Sequence, residues 1–146
     1  MNEPATRPEW PITIVVPFVA TKSTSQIVTS SGGVIPSKKT RRCTDDLAML
    51  AREGMGRWLS MLREPVRVDV LVRIAVPKTG PHAGAKPGDF CMADRYDRSN
   101  VAKFVDDALQ DVIYPRDGVV VTGVVERRWG YVDSMTITVG PAPGAT

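Results

Sequence analysis

Between Val66 and Val76 apolar and polar positions alternate, with Val66, Val68, Val70, Val72, Ile74 and Val76 set against Arg67, Asp69, Leu71, Arg73 and Ala75. A period of two over this length predicts a strand with one buried face. Ile12, Ile14 and Val16 repeat the pattern inside Trp10 to Phe18, which reads as the first strand. Gln26 to Ile35 predicts a short hairpin or extended arm around Ser30-Ser31-Gly32-Gly33. Phe90 to Tyr96 reads as a short strand leading into Asp97. Val119 to Val125 reads as an apolar strand, and Val119 to Arg127 with Tyr131 to Val139 predicts a closing hairpin around Trp129-Gly130.

Two stretches carry the helical period instead. The first helix is expected from about Thr44, with Thr44 as N-cap and Asp45 and Asp46 in its first turn. Leu47, Leu50, Ala51, Met55, Trp58, Leu59 and Leu62 trace its apolar stripe. Gly54 and Gly56 weaken it by up to about 1 kcal/mol each, and Glu64-Pro65 closes it. In the second helix Val101, Phe104, Val105, Ala108, Leu109 and Val112 form the stripe, leaving Asn100, Lys103 and Asp107 on another face. The elements together predict an α/β (α+β) domain, a mixed, mostly antiparallel sheet of about five strands with two main helices.

The 146 residues suffice for one domain with a single core. Residues 1–9, polar and with two prolines, and residues 140–146, rich in Gly, Pro and Ala, read as flexible tails. A composition of 42% apolar and 24% charged residues is that of an ordinary soluble globule. No apolar run approaches the ~20 residues that span a bilayer, and the N-terminus lacks a basic and then apolar signal segment. The expectation is an intracellular, cytoplasmic protein without a membrane partner. Cys43 and Cys91, far apart, read as buried or free thiols, and His82, the one histidine, has no companion for a zinc site. Any metal would be held by carboxylates, which suits Mg2+ or Mn2+. The net charge of +3 is mild, but Lys38, Lys39, Arg41 and Arg42 are concentrated in one run. Such a run is either a solvated basic stretch or a phosphate-contacting one.

The remaining candidates flank the second helix. Asp97 precedes its first turn, and Asp117 lies in a Pro-Arg-Asp-Gly turn. A helix of this length followed by a turn is expected to bring the two carboxylates to one end of a cleft. Taken singly, an Asp before a helix is a cap, an Asp before Gly is a turn residue, and Lys103 with Asp107 is a surface ion pair. Their joint spacing is what points to chemistry.

That spacing resembles the RusA family of Holliday-junction resolvases, whose signature reads Asp-x-Asp-Asn-x-x-Lys-x-x-x-Asp-Ala-Leu, followed about ten residues later by Asp-Asp-x-Gln. Asp97, Asn100, Lys103, Asp107-Ala108-Leu109 and Asp117 fall on the pattern. Ser99 stands where the family has its second acidic residue, Arg116 replaces the first of the later pair, and Val119 replaces the Gln. The family also carries a Pro-x-Lys-Lys-Thr-Arg segment, matched here by Pro36 to Arg41.

The resemblance implies a RusA-like fold and an Mg2+-dependent crossover junction endodeoxyribonuclease acting in DNA recombination and repair. It implies Asp97, Asp117 and Lys103 as catalytic residues, with Asp97, Asp117 and Ser99 around the ion. Asn100 and Asp107 would support them from behind, and Lys38, Lys39, Arg41 and Arg42 would contact DNA. Carboxylate-held Mg2+ suits this chemistry because it activates water and clamps phosphate oxygens, and a nearby Lys offsets developing negative charge. A homodimer is implied because paired symmetric nicks in a four-way junction need one active site per subunit. The alternative is a branched-DNA-binding protein on the same fold with weak or no cleavage. Ser99 decides between them: its hydroxyl can ligate through oxygen but brings no charge, and a capping role for it is equally open.

Overall fold

The computed structural model of the chain describes residues 8–21, 26–28, 34–36, 38–56, 58, 60–93 and 95–144, with backbone alone for 26–28 and 34–36. Its elements are β1 (Ile12–Val16), β2 (Gln26–Val28), β3 (Val34–Pro36), α1 (Lys38–Gly54), β4 (Val66–Ala75), α2 (Arg98–Leu109), β5 (Val120–Thr122), β6 (Val125–Gly130) and β7 (Ser134–Pro141). β2 and β3 pair antiparallel; the tip of this arm, and Leu59 of the expected apolar stripe, lie outside the described residues.

The alternation from Val66 makes β4 the centre of a mixed five-stranded sheet of two-layer α+β type. On one side β4 pairs antiparallel with β7, which in turn pairs antiparallel with β1. On its other side β5 and β6 run parallel to it, in register from Val66↔Val120 and from Val70↔Val125 to Ala75↔Gly130. Parallel neighbours need a crossover, and α2 supplies it.

β6 and β7 are therefore not the expected hairpin, because β4 lies between them. Residues 131–133 step across the end of β4, where the Asp133 carboxylate accepts the Ala75 N–H at 2.8 Å. Nor is Val119 to Val125 one strand. Gly123, at φ +151°, presses against β4 so closely that a Cβ there would lie 1.8 Å from the Val68 carbonyl oxygen. The chain then restarts at Val124, whose N–H donates to Asp69 Oδ1 at 2.9 Å and whose carbonyl accepts from Val70 N at 2.8 Å.

One sheet face is buried and the other faces solvent. Ile12, Ile14 and Val16 of β1, Val66 to Ile74 of β4, and Met135, Ile137 and Val139 of β7 pack under the helices. Leu47 and Ala51 come from α1, and Val101, Phe104, Val105, Ala108 and Leu109 from α2. Phe18 meets Phe104 edge-on at 6.4 Å.

α1 begins six residues before the expected cap, at Lys38. Thr40 and Cys43 extend its buried stripe toward the N-terminus, so Thr44 is an interior residue whose hydroxyl donates back to the Thr40 carbonyl at 2.9 Å. The helix stops at Gly54, and Gly56 takes a left-handed φ of +59°. Phe90 to Tyr96 forms no strand beyond the single antiparallel bridge of Phe90 to Arg128 on the β6 edge. The expected C-terminal tail is partly sheet. Gly140 and Pro141 finish β7, and Ala142 is buried, its N–H donating to the Pro65 carbonyl at 2.8 Å. Cys43 and Cys91 are both buried free thiols.

Candidate active site

α2 is capped by Asp97, which resolves the competition between Asp97 and Ser99 for that role. Asp97 Oδ1 accepts the backbone N–H of Ser99 at 2.9 Å and of Asn100 at 3.3 Å. Ser99 is the second helical residue, and two positions apart on a helix do not ordinarily face one another. They meet because the capping carboxylate folds back over the first turn, where Ser99 Oγ donates to the same Oδ1 at 2.6 Å. The hydroxyl bond, the Asn100 and Ser99 amides and the nearby Arg127 charge together hold the Asp97 pKa below its ordinary value.

The chain reaches this cap through a left-handed Tyr96, at φ +59°, whose hydroxyl accepts from the Arg95 guanidinium at 2.7 Å. Arg127 fixes the approach from the sheet: its Nη1 donates to the Ala93 carbonyl at 2.6 Å and the Arg95 carbonyl at 2.9 Å. An open groove of about 500 Å³ lies between the start of α2 and the β6 edge, lined by Asp97, Ser99, Ala102, Gly123 and Arg127 among others. A second groove of about 280 Å³ shares Ala102 and Gly123 and runs on to Asp106 and Val120.

At the far end of α2 stands a group that the sequence pattern did not single out. The Tyr114 side chain is fully buried, and its hydroxyl donates to Asp106 Oδ1 at 3.1 Å. Burial raises the Asp106 pKa, the Tyr114 bond opposes that rise, and the charges of Asp117 and Asp107 add to it. The readable signal was Tyr114 itself, since an apolar ring inside a core brings a hydroxyl that needs a partner. Arg127 was also missed; it is a basic residue on the same side of β6 as Val125 and Trp129, opposite buried Val72 of β4.

Asp97 and Asp117 do not converge at one end of a cleft. Asp117 opens a short 3-10 turn just before β5, at the level where Val120 pairs with Val66. Asp97 lies by Arg127, which pairs with Val72. Six residues of strand separate those levels, roughly 20 Å. The reason is the crossover, in which α2 carries the chain from one end of β4 to the other before β5 begins. Lys103 and Asp107 are exposed on the outer face of α2, and Asn100 is half-buried. Lys38, Lys39, Arg41 and Arg42 are all exposed on the first turns of α1, around buried Thr40 and Cys43. Among the described residues no three His, Cys, Asp or Glu side chains gather as a metal-binding group.

The family model described as endodeoxyribonuclease RusA matches residues 17–140, a span that runs from the end of β1 to β7 and contains both helices. The chain belongs to the RusA endodeoxyribonuclease family. No curated protein matches it. Within the matched span Asp97 stands at the start of α2 and Asp117 before β5, with Ser99 bonded to the first of them. No helix among the described residues is long and apolar enough to cross a membrane.

Proposed function

We propose that the protein is a metal-dependent endonuclease that resolves four-way DNA junctions by paired symmetric nicks in recombination and repair, working in the cytoplasm as a homodimer. The observation that carries this reading is an ionised carboxylate, Asp97, in an open groove with oxygen and cationic groups beside it. Oδ1 of Asp97 is occupied by three hydrogen bonds, and Oδ2 has none among the described residues. That oxygen and the Ser99 hydroxyl are hard donors of the type Mg2+ or Mn2+ takes, and Mg2+ is commonly held by one or two carboxylates with water and substrate phosphate completing its shell. Bound there, the ion would lower the pKa of its water and offset charge on the phosphate.

The chain's own part is to aim and to neutralise. Ser99 and the Asn100 amide hold the Asp97 pKa down, Asn100 and Asp107 support the site from the outer helix face, and Lys103, exposed one turn on from Ser99, is the cation this reading assigns to offset developing negative charge. Asp117, at the opposite end of α2, is too far from Asp97 to share its ion within one subunit, so the ion rests on Asp97 and Ser99 in this reading. The basic face of α1 supplies phosphate contacts through Lys38, Lys39, Arg41 and Arg42.

A second reading, a branched-DNA-binding protein with weak cleavage, is favoured by one observation: the family's second carboxylate is here a hydroxyl already engaged with Asp97. Incubation of a synthetic four-way junction with the protein and Mg2+ or Mn2+ decides between them. Symmetric metal-dependent nicks support resolution. Tight junction binding without nicks supports the second reading, and no preference over linear duplex contradicts both.

A further inference from the structure

We infer that Arg127 seats a DNA phosphate in the groove beside Asp97, an assignment that rests on the endonuclease reading and adds the cation that grips the strand. Arg127 lines this groove with Asp97, Arg98 and Ser99. Among its described charged residues, two arginines face one aspartate, leaving one net positive charge, the complement of a single phosphodiester. Replacement of the family's acidic residue by Ser99 produces that balance; a second carboxylate would have neutralised it.

The guanidinium is also held in place in a way a surface arginine is not. Both carbonyl contacts, to Ala93 at 2.6 Å and to Arg95 at 2.9 Å, come from Nη1 alone. Among the described residues Nε and Nη2 donate to nothing, so the fork keeps donors for an anion. Arg127 stands on β6, paired through Val72 to the central strand, whereas Lys103 is an exposed side chain on a helix surface. A planar, preorganised fork matches two phosphate oxygens and loses less freedom on binding than a lysine does. The groove, at about 500 Å³, is open to solvent and larger than a single ion needs.

A purely structural Arg127 and a phosphate-binding one differ in salt dependence. Each phosphate neutralised contributes about 0.9 to the slope of log affinity against log salt. Junction binding is measured without metal for the parent and for Arg127→Gln, which keeps a donor for the carbonyls and removes the charge. The expected result is a folded variant with a slope shallower by about one and affinity lower on the order of tenfold. A folded variant with parental slope and affinity overturns the assignment. Ala102→Glu, on a half-exposed helical position of the same groove, decides the matter if Arg127→Gln fails to fold. It is expected to weaken junction binding by repelling the phosphate, and parental affinity in it overturns the assignment. A parent protein that binds no junction overturns the endonuclease reading as well, whereas a binding parent with unaffected variants overturns Arg127 alone.

Discussion

Ser99 Oγ donates to Asp97 Oδ1 at 2.6 Å, so the hydroxyl two positions beyond the helix cap is a hydrogen-bond donor to the capping carboxylate. The bond is the largest cause of the lowered Asp97 pKa. Ser99→Ala is therefore expected to raise the Asp97 pKa toward its ordinary value, read by carboxyl NMR titration. Ser99→Asp replaces the donor by a like charge and raises it further without metal, while giving an ion a second carboxylate. Its half-maximal Mg2+ concentration for cleavage is expected to fall severalfold. Equal metal dependence in Ser99→Asp and the parent, both folded and active, removes position 99 from the ion.

Asp106 carries the opposite shift. Its folded pKa lies above its unfolded one, so the folded state holds the proton more tightly. The associated stability is full below the unfolded pKa and is lost as pH rises through the folded value. Above the folded value the ionised, half-buried carboxylate works against the fold. Asp106→Asn keeps an acceptor for the Tyr114 hydroxyl, and is expected to raise Tm by about 2–4 °C at pH 7. The gain should shrink as pH is lowered from the raised folded value toward the ordinary aspartate range, and should be gone below that range. A pH-independent difference in Tm contradicts this origin.

Gly123 marks the break between β5 and β6. A Cβ at 1.8 Å from a backbone oxygen of the central strand has no flexible neighbour to displace. Gly123→Ala is expected to cost on the order of 3 kcal/mol or more, seen as a lower midpoint in urea. A midpoint within error of the parent contradicts the close approach to Val68.

The basic face of α1 is exposed at Lys38, Lys39, Arg41 and Arg42, at the end of the helix where the macrodipole disfavours cations. The proposed phosphate contacts account for a placement that helix stability does not. Replacing all four by Ala is expected to flatten the salt slope of junction binding by about 0.9 for each phosphate that these side chains neutralise in the parent. It should also leave the helix intact or slightly more stable. An unchanged slope removes this face from the interface.

Much of this was legible in the chain, because β4, β1 and the stripe of α2 are set by local period. The order of strands was not. Val125 to Gly130 and Ser134 to Pro141 look like hairpin partners, and only the insertion of β4 between them, through long-range pairing, says otherwise. The start of α1 was hidden because Thr44, Asp45 and Asp46 make a good local cap, and burial of Thr40 and Cys43 overrode it. At the candidate site the Asp97 cap was legible. The placing of Asp97 and Arg127 on one groove, and the separation of Asp97 from Asp117, depend on the crossover geometry of α2.

The central claim is that Asp97 anchors a metal-dependent cleavage site, and Asp97→Asn tests it most directly. Asparagine keeps the size of the side chain and caps a helix about as well, so fold and metal-free junction binding should persist. With Mg2+ or Mn2+ present, the account predicts paired nicks in a four-way junction by the parent and a nicking rate at least about a hundredfold lower for Asp97→Asn. Nicking at the parental rate by a folded Asp97→Asn protein would contradict it.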